Sequence, residues 1–112
     1  MISIVGIGNG ASAIADKFAQ FPQYNIYTLN DKVERSAGKL RKLKRFENPE
    51  QYEENVPDLT KYFSKIDDQV QVFVMGSSYS SNYTLGILNQ IKNKKIDVFY
   101  IKPDTTLLTG IP

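Results

Sequence analysis

The chain opens Met1-Ile2-Ser3-Ile4-Val5-Gly6-Ile7-Gly8-Asn9-Gly10-Ala11-Ser12 and continues Ala13-Ile14-Ala15-Asp16-Lys17-Phe18-Ala19. Ile2, Ile4, Val5 and Ile7 make a short apolar, β-branched run that stops at glycines, the pattern of a strand covered on both faces. Ala11, Ile14, Ala15 and Phe18 then follow the i, i+3, i+4, i+7 spacing of an amphipathic helix, which Pro22 ends. A strand, a glycine-rich turn and a helix in that order predict an α/β nucleotide-binding domain.

Beyond this unit, a second strand is expected at Tyr24 to Leu29, closed by the turn formers Asn30 and Asp31. Leu40, Leu43 and Phe46, spaced by three among basic residues, fit either an edge strand or an irregular helical turn. Asn48-Pro49-Glu50-Gln51 reads as a helix start, with a capping side chain, a proline in the first turn and an acid at the positive dipole end. Leu59, Tyr62, Phe63 and Ile66 repeat the helical stripe, with Pro57 kinking or dividing that helix. A third clear strand is Val70 to Met75, a further helix carries Thr84, Ile87, Leu88 and Ile91, and Ile96 to Ile101 is a last strand stopped by Pro103. This alternation predicts a Rossmann-like three-layer sandwich, a mostly parallel sheet with right-handed crossovers and helices on both faces, formed as one domain over residues 1–112.

Composition bounds the chemistry. At 112 residues, 41% hydrophobic, 23% charged and 12% aromatic, the chain has enough apolar surface for a core without disulfides or a structural metal. It contains no cysteine and no histidine, which excludes a cysteine protease, a triad hydrolase and a zinc site. The net charge of +2 exerts no general pull on nucleic acid or membranes. The local basic run Lys39, Arg41, Lys42, Lys44 and Arg45, followed by acidic Glu47, Glu50, Glu53, Glu54 and Asp58, reads as a solvated face rather than a nucleic-acid surface. The amino terminus lacks the basic start of a signal peptide, and no apolar run approaches the roughly 20 residues needed to cross a bilayer, so a cytoplasmic protein is expected.

In an open parallel sheet, ligands bind at the carboxyl ends of the strands, near the point where strand order reverses. The unusual segments fall there: Gly6 to Ser12, Asn30 with Asp31, Gly76 to Asn82, and Pro103 to Thr106. Glycines let a phosphate approach main-chain N–H groups, and the helix after them turns its positive end to the same spot. Gly76-Ser77-Ser78-Tyr79-Ser80-Ser81-Asn82 offers hydroxyls and N–H groups to a second anionic group, so two helix amino termini are expected to face one cleft. No Walker-type loop is present. Gly6, Gly8 and Ala11 also match the dinucleotide pattern G-x-G-x-x-A, with Asp31 placed to hold a ribose, which keeps NAD or FAD as an alternative cofactor. A third reading is an interaction domain that keeps the fold and binds no nucleotide.

These loops resemble the amino-terminal half of the tubulin/FtsZ family of filament-forming GTPases. The family's phosphate loop is matched by Ile4-Val5-Gly6-Ile7-Gly8-Asn9-Gly10-Ala11-Ser12, the end of its second strand by Leu29-Asn30-Asp31, a helix start by Asn48-Pro49-Glu50, and the next strand by Val72-Phe73-Val74-Met75. Gly76 to Ile91 stands for the signature loop and its helix, and Ile96 to Pro103 for the following strand and sugar-contacting loop. The resemblance implies a GTP or GDP site formed by Gly8, Asn9, Gly10, Ala11, Ser12, Asn30, Asp31, Gly76, Ser77, Ser78, Tyr79, Ser80, Ser81, Asn82, Pro103 and Asp104, together with self-association. The signature loop of the family is rich in glycine where this chain has Ser77, Ser78, Tyr79, Ser80 and Ser81; Ala13 stands where an asparagine usually reads guanine; Lys44 to Asn48 replaces a glycine- and alanine-rich γ-phosphate loop. Family hydrolysis is completed by an acidic loop from the next subunit, so no turnover is expected of this chain alone. Thr109-Gly110-Ile111-Pro112 looks like a cut end.

Overall fold

In the computed structural model, residues 1–32, 38–76 and 78–102 are described. The opening unit forms as expected: β1 spans Ile2–Ile7 and α1 spans Asn9–Lys17, continued by a 3-10 turn at Phe18–Gln20. Four more strands follow, β2 at Tyr24–Asn30, β3 at Lys39–Lys42, β4 at Gln69–Met75 and β5 at Lys95–Ile101, with α2 at Pro49–Glu54 and α3 at Thr84–Gln90 between them. All pair in parallel in the order β3-β2-β1-β4-β5, so the protein is an α/β Rossmann-like sandwich.

The two faces of the sheet are covered unequally. On one, among the described residues, α1 and the 3-10 turn after it pack, setting Ala15 on Ile4 and Ile26, with Phe18 tilted against Phe73. On the other, Val5, Ile7, Tyr27, Leu29, Val70, Val72 and Val74 meet Tyr52 of α2, Leu59, Phe63, Tyr83 and Ile87 in one continuous core. β1 is buried on both sides, which is why it reads as an unbroken apolar run.

Residues 59–66 depart from the expected helix. Phe63 N–H reaches Leu59 O at 2.9 Å, but Ser64 and Ile66 bond only three residues back, giving a chain of turns. Asp58 Oδ1 accepts from both the N–H and the hydroxyl of Thr60, and Leu59 N–H donates to Gln90 Oε1 at 2.7 Å, so competing side-chain bonds hold this start in place. The apolar spacing still serves, because a few turns suffice to bury Leu59 and Phe63. Leu40 lies on a true edge strand: β3 is short and fully exposed, and its lysines and arginine guard the open ladder against pairing with another chain. The expected helix start at Asn48 forms with its reciprocal capping box, Asn48 N–H donating to Gln51 Oε1 at 3.0 Å.

Candidate functional site

The strand order reverses between β1 and β4, so the loops that leave these two strands flank the crevice at their carboxyl ends. Gly6 is needed because a Cβ there would lie 2.7 Å from Ala11 O, and its absence lets the first turn of α1 settle onto the end of β1. Gly8 has φ 95° and ψ 164°, a conformation that side chains rarely adopt, and a Cβ on it would lie 2.4 Å from Ser78 Oγ. The loops after β1 and β4 therefore touch at Gly8 and Ser78. The end of β2 is tied in as well: Gly8 N–H donates to Leu29 O at 2.8 Å, and Asn30 Nδ2 donates to Asn9 Oδ1 at 3.2 Å.

The amino end of α1 carries no acidic residue in its first turn, so its positive dipole end is not neutralised locally. Ala11 and Ser12 are buried, and Ser12 Oγ is 3.4 Å from Gly6 O. Gly8 N–H is taken by Leu29 O and Ser12 N–H by Gly8 O, so what this loop can present to an anion is the main chain between them.

The loop after β4 behaves differently from the sequence-based picture. Ser78 Oγ donates to Met75 O at 2.7 Å and accepts from Ser81 N–H at 3.2 Å, while Ser81 Oγ donates to Ser78 O at 2.6 Å. Their hydroxyls thus serve the loop itself. The expected second helix amino terminus is also displaced: a 3-10 turn at Tyr79–Tyr83 stands between the loop and α3. Ser80 is the exception, 1% exposed with a hydroxyl that has no hydrogen-bond partner, and a buried unpaired hydroxyl costs about 1–3 kcal/mol unless something satisfies it. Ser77, Pro103 and Asp104 lie outside the described residues.

One residue at the site was not singled out from sequence. Arg45, read as part of a solvated run, bonds Asp31 Oδ2 through Nη2 at 2.7 Å and through Nε at 2.8 Å, and its guanidinium carbon lies 4.0 Å from the centre of the Tyr79 ring. It spans from the loop after β2 to the loop after β4. The signal was the register: Asn30 of β2 pairs with Lys42 of β3, so residues just past Lys42 emerge at the same end as the other loops. Buried tyrosines hold this segment. The Tyr83 hydroxyl donates to Lys44 O, and the Tyr52 hydroxyl accepts from Phe46 N–H and donates to Phe46 O, both at 3.0 Å. Burial and the neighbouring Tyr52 push the Tyr83 hydroxyl pKa up, keeping it a neutral donor.

Among the described residues no group of three or more metal-ligating side chains comes together, and no helix is long and apolar enough to cross a membrane. No family model matches the chain, and no curated protein matches it. Among solved structures it is similar to an empty FtsZ dimer of M. jannaschii, at 13% identity over 99% of this chain and 47% of the FtsZ chain, with a TM-score of 0.60. The chain thus spans about half the length of that relative, and the likeness concerns the fold, which is tubulin/FtsZ-like.

Proposed function

We propose that this chain is a tubulin/FtsZ-like nucleotide-binding domain that takes GTP or GDP at the crevice between β1 and β4. The carrying observation is the amino end of α1, free of acids and preceded by Gly8 in a glycine-only conformation, opening at the switch point of the sheet. The loop Gly8, Asn9, Gly10, Ala11 and Ser12 would hold one phosphate on the main chain between Gly8 and Ser12, whose own N–H groups bond Leu29 O and Gly8 O. The second loop, Gly76, Ser77, Ser78, Tyr79, Ser80, Ser81 and Asn82, would border the next, with the buried Ser80 hydroxyl left without a partner inside it. Asn30 and Asp31 would flank the nucleotide from β2, and Pro103 and Asp104 would lie toward the sugar. The bound nucleotide supplies the charge that the two loops organise around. Hydrolysis is assigned to a complete filament, because no acidic catalytic loop belongs to this part of the family. The FtsZ neighbour is a dimer, which supports self-association, and the cytoplasm is the proposed location.

Titration calorimetry of the protein with GTP, GDP, ATP and NAD tests the reading. GTP and GDP are expected to bind and NAD to bind weakly or not at all. Failure of every guanine nucleotide to bind overturns the GTP assignment. One observation favours the interaction-domain reading: the Ser78 and Ser81 hydroxyls are used within their own loop. That reading requires a melting temperature unmoved by nucleotide, whereas a ligand that prefers the native state raises it.

A further inference from the structure

We infer that Arg45 is the phosphate-binding cation of this site, held by Asp31 until a phosphate replaces the carboxylate. The inference rests on the nucleotide reading above and adds a residue that the family's glycine-rich loops do not suggest.

The backbone on both sides of Arg45 is fixed by buried tyrosines, Tyr83 on Lys44 O and Tyr52 on Phe46. Tyr52 and Tyr83 pack edge to face with ring centres 4.8 Å apart, and Phe46 packs edge to face on Tyr52 at 5.3 Å. This much aromatic surface anchors the backbone on either side of an exposed arginine, so the anchor sets where the guanidinium stands. It stands over Tyr79 and against Asp31, bridging two loops that border the crevice. Its side chain is 51% exposed and that of Asp31 is 10% exposed, so the guanidinium is reachable and the carboxylate is the sheltered partner.

A polyphosphate entering beside Gly8 needs more positive charge than one helix end supplies, and Ser78 and Ser81 have spent their hydroxyls. Arg45 bonds Asp31 through Nε and Nη2, and a guanidinium has five N–H donors, so further donors remain for phosphate oxygens. The exchange is a swap of one anionic acceptor for another, with no covalent step. The aromatic face of Tyr79 stays beneath the guanidinium through it.

The test is titration of the wild-type chain and of Arg45→Ala, Arg45→Lys and Asp31→Asn with GTP and with inorganic triphosphate, with melting temperatures showing that each variant is folded. Arg45→Ala should weaken both ligands about tenfold or more, as expected for loss of a charge-assisted contact. Arg45→Lys should recover only part of this, because a lysine cannot engage phosphate in fork geometry. Asp31→Asn should tighten both ligands by freeing the guanidinium. If the wild-type chain binds GTP and Arg45→Ala binds it equally well, the inference falls and the nucleotide reading stands. If GTP fails but triphosphate binds in an Arg45-dependent way, the inference stands and the guanine assignment falls. Absence of any Arg45-dependent effect with either ligand overturns it, and weakening by Asp31→Asn equal to that of Arg45→Ala overturns the exchange.

Discussion

The two ends of the sheet are built on different principles. At the amino end, one carboxylate ties β1 and β2 to the start of β4: Asp67 Oδ2 accepts from Ser3 Oγ and from Asn25 Nδ2, each at 2.8 Å, and Asp67 N–H donates to Ser3 Oγ at 3.0 Å. Ser3 is fully buried there, with its hydroxyl satisfied as donor and acceptor. At the carboxyl end the same strands part into loops held by glycine approach and main-chain bonds. There Ser80 is buried without a partner, and the guanidinium of Arg45 lies half exposed. A closed hydrogen-bond network holds strands together. An exposed guanidinium beside a crevice suits an anionic ligand.

Substituting Gly8 should produce the largest effect, because the carboxyl end depends on a missing side chain. Gly8→Ala combines a disfavoured φ with overlap on Ser78 and is expected to cost about 3 kcal/mol in urea unfolding. A loss below about 1 kcal/mol would mean that the two loops are not packed as tightly as their contact implies.

At the opposite end, Asp67→Ala should cost about 2 kcal/mol by leaving buried Ser3 short of a partner, while GTP affinity stays unchanged. A parallel loss of affinity would show that the ends are coupled. A smaller effect appears in acid. Partial desolvation pushes the Asp67 carboxyl up, but the hydrogen bonds from Asn25 and Ser3, then the charges of the Met1 amino group and Lys94, outweigh it and hold the pKa below the usual carboxylate range. Its contribution is therefore present above the unfolded value of about 3.9 and is lost as pH falls through the folded one. Asp67→Asn should flatten that part of the acid unfolding curve, and an unchanged curve would assign acid sensitivity elsewhere.

The smallest effect is expected at Ser80. With no ligand present, Ser80→Ala removes an unpaired buried hydroxyl and should stabilise the fold by up to about 1 kcal/mol. With GTP bound the same change should cost affinity, and thermal melts with and without GTP separate the two. Destabilisation in both conditions would place a structural water on that hydroxyl.

Much of the fold was legible because burial on two faces leaves a plain pattern, as in Ile2–Ile7 and in the alternation of Val70, Val72 and Val74 with half-buried Gln71, Phe73 and Met75. The residues 59–66 misled because a stripe spaced for a helix also suits successive turns, and the bonds from Gln90 and Asp58 that decide between them come from side chains. The edge strand β3 could not be separated from a helical turn, since four exposed residues carry no periodic signal and only pairing with β2 defines them.

What the sequence by itself determined is the local grammar: β-branched runs that must be covered, glycines where the chain must turn or approach closely, and a helix start capped by Asn48 ahead of Pro49. The tertiary structure alone decided which hydroxyls are paired and which is buried without a partner, because Ser78, Ser80 and Ser81 are chemically alike and differ only in what surrounds them. It alone also brought Arg45 to Asp31 and Tyr79. Partners so far apart in sequence meet only once the strand order and register are set, and that order follows from how the apolar faces are buried together.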